Sequence, residues 1–358
     1  MVKYKQKGDG VMFGKNLKYY RLKNNMSMKE LADSVHISAM AISYYEKEER
    51  KPDMKTIKAL ADVLKIRVTD FLAYRDESLS FSHEEFRKST KLNMKQQEYV
   101  RESVEEYFSR FYQIVRILGG EVLPKIKRIH AIEFSGSIDE NALRLRKELG
   151  LSQEGPIGNI SEILENRGIL LYFCDIDNDD FSGMNGRVND RPYIIVNKNM
   201  TAERIRSTMI HELAHFMFQW PDDMDEKEIE KAANAISGAF LFPTGDMERE
   251  LGIRRRAITN DMIGICKEYG ISMYMLVMRA NKDGIINDNV ARNFYIKANK
   301  AGWKKHEPSR IDEEKSTLFH QLVYRAVTED EISLQKGAEL LKKPYDEVNL
   351  ICSAMEVE

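Results

Sequence analysis

The segment MIHELAHFMF, residues 209–218, constrains this chain more than any other stretch. His211 and His215 stand four apart, a spacing that puts both imidazoles on one face of a helix. Glu212 lies about 100° further round. Ile205, Met209, Leu213, Phe216 and Met217 give the helix an apolar side that has to be buried. Buried imidazoles and carboxylates need partners. Either they find local hydrogen bonds, or His211 and His215 hold one ion and Glu212 reaches a water on its open side. Zinc suits this arrangement: it lowers the pKa of water towards neutrality, and a carboxylate can then take the proton.

Zinc takes a third protein ligand and keeps a fourth position open. The helix HELAH extends over 201–220, capped by Thr201 and stopped by Pro221. The next predicted helix, DEKEIEKAANAISGAFLF (225–242), offers Glu226, Glu228 and Glu230. Its small residues Ala232, Ala233, Ala235, Gly238 and Ala239 allow close packing against the first. Glu230 leads into Ala233, Asn234 and Ser237, the face expected to turn inward. Glu226 lies on a similar stripe one turn nearer the loop, so spacing leaves both open and leans to Glu230. Upstream, ILLYFC (169–174) and RPYIIVN (191–197) read as strands, with SGMNGRVND between them as turn or strand-edge material. The strand at 191–197 is expected at a sheet edge, where a peptide could add as a further strand. Tyr193, Arg187 and Asn234 are candidates to stabilise an oxyanion.

The amino-terminal 73 residues differ in character. They carry 15 Lys and Arg against 9 Asp and Glu, in a chain whose net charge is −2. That excess fits a polyanionic partner. Short helical patterns succeed one another at 14–25, 28–35, 38–47, 54–65 and 68–73, with Ser27 and Ser38 as caps. Two short helices joined by a tight turn form a helix-turn-helix pattern. Ser38, Ala39, Met40, Ser43 and Tyr44 fall on the outer face of the second helix. Ala32, Val35, Ile37 and Ile42 fall on the inner one. Small and apolar groups at the outer face suit entry into a major groove and contact with a thymine methyl.

Residues 14–73 resemble the Cro/repressor (XRE-type) family at Arg21, Leu31, Ala32, Ser38, Ile42, Tyr45, Glu46, Arg50 and Pro52. The resemblance implies that Arg21 pairs with Glu46 and that Arg50 approaches phosphate. His36 and Glu48 stand where the family usually has glycine. Both positions favour a left-handed backbone, at a cost of about 1 kcal/mol for a side chain. Residues 125–248 resemble the ImmA/IrrE family of metallopeptidases. A strand and loop lead into the HELAH helix, and Glu230, Ala233, Asn234, Ser237, Leu241 and Pro243 follow the family's next motif, with serine at 237 where alanine is usual. That resemblance implies a zincin-like fold, zinc as cofactor, Glu230 as the third ligand beside His211 and His215, and Glu212 as catalytic base. It also implies a transcriptional repressor as substrate.

The expected fold class is mainly α with a small β-sheet (α+β), in four parts. Residues 1–74 form an all-α helix-turn-helix domain. A linker at 75–92 and a long amphipathic helix at 93–118 occupy 75–124. Residues 125–248 form the metallopeptidase domain, and 249–358 a helical region expected to cover it. Within the last part, Ile271, Ser272 and Leu276 mirror the spacing of Ile37, Ser38 and Ile42, and ISLQKGAELLKKPYDEV (332–348) has the pattern of a helix-turn pair. Cys174, Cys266 and Cys352 are too few and too scattered for a disulfide framework. No apolar run spans a bilayer and the start lacks a signal peptide. The expectation is a cytoplasmic endopeptidase acting on a protein substrate and bound to operator-like double-stranded DNA, with a homodimer compatible. An alternative reading is a regulator or antitoxin-like protein that uses the same fold as sensor or scaffold. Self-cleavage in the 75–92 linker is a third.

Overall fold

A computed structural model describes residues 12–82, 92–126 and 130–353. The chain divides into two compact units. The first holds residues up to 82, the stretch up to 123 and the carboxy-terminal segment from 319. The second holds 124–318.

The first unit opens with helices α1 (Phe13–Lys23), α2 (Met28–Ser34), α3 (Ala39–Glu46) and α4 (Met54–Leu64). Serine side chains start the second and third. Ser27 Oγ accepts the Glu30 amide at 3.1 Å, and Ser38 Oγ accepts that of Ala41 at 3.1 Å. Leu17, Leu31, Ile42, Leu60, Leu64 and Phe71 close the core. His36 and Glu48 have φ of 56° and 58°, the left-handed backbone expected of them. Gly14 is required by close approach, since a Cβ there would lie 2.5 Å from the Tyr45 carbonyl oxygen. The long helix α5 (Met94–Ile117) buries Val100, Val104, Phe108, Phe111 and Ile114 along one stripe. The expected linker does not begin at 75. Arg75 is buried and donates to Asn16 Oδ1 at 2.7 Å, and the Asp76 amide donates to Ser109 Oγ at 3.1 Å. Residues 83–91 of that linker, and with them half of the suggested self-cleavage region, lie outside the described residues.

The second unit contributes three strands to its main sheet. Gly183–Val188 runs antiparallel to Arg191–Asn197, which runs parallel to Leu170–Cys174. SGMNGRVND is therefore a full strand and its turn. Asn189 and Asp190, at φ 47° and 65°, make the two-residue hairpin connection that positive φ at both positions allows. The strand 191–197 is flanked on both sides and is not an edge, which corrects the expectation for peptide addition. The uninterrupted run Tyr193–Val196, fully buried, belongs to a strand with neighbours on both edges.

Of helices α6 (Ile138–Glu148), α7 (Ile160–Asn166), α8 (Ala202–Met217) and α9 (Glu226–Leu241), α7 and α8 pack on the strands, α9 packs on α8 and α6 on α9. They are followed by α10 (Thr244–Leu251), α11 (Asp261–Tyr269), α12 (Met273–Lys282) and α13 (Asp288–Lys300). α8 stops at Met217, short of the expected 220, because Phe218–Gln219 pairs as a parallel strand with Ile132–Glu133. The core of the unit does not end at 248: Met262, Leu276, Val277 and Phe294 from α11–α13 join Met209, Leu213 and Ile236 in one cluster.

A strap at 303–318 then closes over this unit, held by buried carboxylates. Glu203 accepts Ser309 Oγ at 2.6 Å, and Glu165 accepts Ser316 Oγ at 2.6 Å. Glu307 accepts the Met273 amide at 2.7 Å. Glu314 accepts the amides of Ile160 and Ser161 at 3.1 and 3.0 Å and pairs with Arg206 at 2.5 Å. The last helices, α14 (Leu318–Thr328), α15 (Leu334–Leu341) and α16 (Tyr345–Cys352), return to the first unit. There the Phe319 ring packs 5.4 Å from Tyr107 and 5.6 Å from Phe111, and Lys342 pairs with Glu106 at 2.8 Å. The span 249–358 is thus shared between the units instead of forming one cover. No helix among the described residues is long and apolar enough to cross a membrane, and the three cysteines are free.

Candidate functional site

α8 buries Ile205, Met209, Leu213, Phe216 and Met217 and turns His211 and His215 to its other side. The two Nε2 atoms stand 3.3 Å apart. α9 packs alongside through its small residues, with Ala233 and Ser237 buried and Ser237 Oγ donating to the Ser207 carbonyl at 2.8 Å. That close approach brings in Glu230, whose Oε2 lies 3.4 Å from His211 Nε2 and Oε1 3.4 Å from His215 Nε2. Glu226, on the same helix, is exposed and does not join them. Hydrogen bonds from His211 and His215 hold the Glu230 carboxyl well below the usual carboxylate range.

The donor set fits a zinc ion. Four ligands at about 2.0–2.1 Å around a tetrahedral centre stand about 3.3 Å from one another. The observed edges of 3.3, 3.4 and 3.4 Å form one face of such a tetrahedron. Two imidazole nitrogens and one carboxylate are also ordinary zinc chemistry. The Glu230 side chain is 44% exposed, so this face is not sealed.

Glu212 projects from α8 towards strand 183–188 and is buried. Burial pushes its carboxyl up, opposed by His211, His215 and a hydrogen bond from Asn185. Asn185 Nδ2 donates to Glu212 Oε2 at 2.7 Å. Asn185 is not among the residues expected at the site, because its strand looks like a glycine-rich turn. Its signal is a polar residue within a strand beside HELAH, since a buried amide has to be satisfied. The nearby Gly183 permits the contact: a Cβ would lie 2.6 Å from both the Ile195 carbonyl oxygen and Thr208 Cγ2.

Of the three oxyanion candidates, Tyr193 is fully buried and so cannot meet a substrate. Asn234 is exposed instead of facing inward, and its amide donates to the Glu230 carbonyl at 2.8 Å. Arg187 is half-buried on strand 183–188.

In the first unit, Ser38, Ala39, Met40 and Tyr44 are exposed on α3 and Ser43 is half-buried. Arg50 is exposed just beyond the helix, beside Lys47 and Lys51, and none of these three cations makes an ion pair among the described residues. Arg21 is bound by Glu46 through two contacts, Nε to Oε1 at 2.5 Å and Nη2 to Oε2 at 2.8 Å, and both side chains are buried. The pair ties α1 to α3 and fixes the orientation of the outer face.

A helix-turn-helix joined to a unit with this His, His and Glu cluster defines a DNA-binding, protease-like regulator. Family comparison agrees. A helix-turn-helix family matches residues 17–71, and the IrrE N-terminal-like domain matches residues 164–281. The chain thus carries an XRE-type module and a domain of the IrrE/ImmA metallopeptidase type. No curated protein matches it.

Proposed function

We propose that this chain is a DNA-binding, zinc-dependent endopeptidase that cleaves a transcriptional repressor or related regulator. The observation that carries the reading is the triangle of His211 Nε2, His215 Nε2 and a Glu230 carboxylate with edges of 3.3–3.4 Å, beside a buried Glu212. His211, His215 and Glu230 would hold the zinc. When bound, zinc supplies Lewis acidity, which polarises a peptide carbonyl and acidifies water. Glu212 takes the proton of the attacking water and passes it to the leaving amide nitrogen. Asn185 holds the Glu212 carboxylate in place for both transfers. The raised affinity of Glu212 for a proton, caused by burial, suits a group that must accept and then release one. The α3 face meets the major groove through Ser38, Ala39, Met40, Ser43 and Tyr44, and Arg50 meets phosphate. DNA binding would bring the enzyme to a substrate that is itself bound to DNA.

The test is to incubate zinc-loaded protein with the repressor encoded beside its gene, and to run Glu212→Gln in parallel. Cleavage by the wild type alone is expected. Equal product from both proteins would dispose of the catalytic role.

A further inference from the structure

The carboxy-terminal helices repeat the three-helix form of the amino-terminal module. α1 and α14 each have 11 residues, and each is followed by a left-handed residue, Asn25 at φ 52° and Asp330 at φ 58°. From Ser27 and Ser333 onward the two segments agree position for position. Ser27 Oγ accepts the Glu30 amide and Ser333 Oγ the Lys336 amide, both at 3.1 Å. His36 and Lys342 make the left-handed turn at φ 56° and 53°. The Ile37 amide closes on Ala32 at 3.0 Å, and the Lys343 amide on Ala338 at 3.1 Å. α3 and α16 then run for 8 residues each and bury Ile42 and Val348 at the same place.

The outer faces differ. Where α3 begins with Ala39 and Met40, α16 begins with Tyr345, Asp346 and Glu347. The cations of the repeat are engaged: Lys336 with Glu339, Lys342 with Glu106 and Arg325 with Glu329, each at 2.8 Å, and Lys343 with Glu347. Two carboxylates in the first turn and no spare cation disfavour phosphate. Yet Leu350 is 79% exposed, with Ile351 at 49% and Tyr345 at 45%. The α3 face differs: Met40 is 63% exposed and Tyr44 40%, beside Lys47, Arg50 and Lys51, which make no ion pair among the described residues. Of the two carboxylates between them, Glu48 accepts the Gly14 amide and Glu49 is exposed, so the cations outnumber the carboxylates there.

We propose that residues 318–353 are a second helix-turn-helix given over to protein binding, and that its α16 docks on the basic α3 face of a second copy of this chain. Leu350 would pack against Met40 and Tyr44. Asp346 would meet Lys47, Arg50 and Lys51, and so would Glu347, in exchange for its exposed pair with Lys343. Both faces are exposed within the single chain, so the contact is between molecules. Two reciprocal contacts close a two-fold dimer. Pairing of α16 with α16 would instead set Asp346 and Glu347 against like charges. The docked face is the one assigned above to DNA, and on that reading dimerisation and DNA binding exclude each other.

Sedimentation velocity of the full chain over a concentration series tests this. The expected result is a dimer that weakens with salt. Leu350→Lys, a surface change, weakens it at least about tenfold, and so does Lys47→Glu with Lys51→Glu. Mixing that double variant with Asp346→Lys/Glu347→Lys restores association. A monomeric wild type overturns the proposal, as does a dimer indifferent to Leu350→Lys. A dimer sensitive to Leu350→Lys but indifferent to the lysine changes overturns the assigned partner face. In a second arm, a random-sequence duplex is expected to convert dimer to DNA-bound monomer. A dimer that stays intact on DNA overturns the shared face. The first arm needs no DNA, so its outcome stands even where the chain fails to bind a duplex.

Discussion

Arg206 sits on α8 shortly before the HELAH motif, and its replacement by methionine should destabilise the second unit severely. The guanidinium is buried and ties three distant segments to α8. It donates to the carbonyls of Ile157 at 2.7 Å, Gly158 at 2.8 Å and Gly270 at 3.1 Å, and pairs with Glu314 at 2.5 Å. Methionine fills part of the volume but leaves Glu314, itself buried, with only the two amides at the start of α7. Stranding one member of a buried ion pair costs about 3–5 kcal/mol. Three carbonyls also lose a donor. The loss is a large share of the roughly 5–15 kcal/mol that holds an ordinary domain, and corresponds to a fall in Tm of about 6–20 °C at about 2–4 °C per kcal/mol. The assay is direct, because the chain's two tryptophans, Trp220 and Trp303, both lie in this unit. Urea unfolding followed by their fluorescence therefore reports it selectively. The double variant Arg206→Met/Glu314→Gln should lose clearly less than the sum of the single losses, since no charge is then stranded. A single-variant loss under about 1 kcal/mol, or strict additivity, would refute the account of Arg206 as the tie that positions α8.

Four further outcomes are expected. Asn185→Ala should lower turnover about 10–100-fold with zinc content unchanged, as measured by kcat beside metal stoichiometry, because it frees a carboxylate held by one charge-assisted hydrogen bond worth about 1.5–3 kcal/mol. Zinc at about 100 times its Kd should stabilise the wild type by about 2.7 kcal/mol in the same fluorescence assay; Glu230→Ala should lose most of this gain, and an unchanged gain would exclude Glu230 as a ligand. Burial and the nearby Glu203 push the Glu307 carboxyl up to about 7, against the opposing hydrogen bond from the Met273 amide. Its folded value lies above its unfolded one, so the folded state binds the extra proton between about pH 4.5 and 7 and stability falls as pH rises through that window. Glu307→Gln, which keeps an acceptor for Met273, should remove on the order of 1–2 kcal/mol of that decline once solvent screening is allowed for, read as the difference between wild type and variant at pH 5 and pH 8. Gly183→Ala should cost about 1–3 kcal/mol, since its Cβ would lie 2.6 Å from the Ile195 carbonyl oxygen, a backbone atom with little freedom to move.

What the sequence reveals here depends on how locally each feature is specified. The amino-terminal module is legible because Ser27 and Ser38 cap within three residues and the apolar spacing is helical. The pair His211 and His215 is legible for the same reason: one helix turn places both. Glu230 needed more than spacing, because its position depends on how closely α9 settles against α8. Ala233 and Ser237 decide that, and only the family resemblance fixed the choice over Glu226. Asn185 escaped because glycines at 183 and 186 made a strand look like a turn. There glycine serves the close passage of strand and helix, a tertiary fact with no periodic signature. Strand 191–197 lies between two neighbours, and the sequence carries a signal for it, since PYIIV is too apolar for an edge. The division of 249–358 had no such signal. Phe319 meets Tyr107 and Lys342 meets Glu106 across more than two hundred residues of chain. The capped turn at 332–348 could be read locally, but its exposed acidic and apolar face follows from that distant packing. The same local code at Ser38, Ser272 and Ser333 starts three helices, yet α12 buries Met273, Leu276, Val277, Arg279 and Ala280, while α3 buries only Ile42 and Tyr45 and α16 only Val348. A helix-turn pattern in a sequence therefore specifies a turn. Which helix remains free to bind is decided by the residues on its far side.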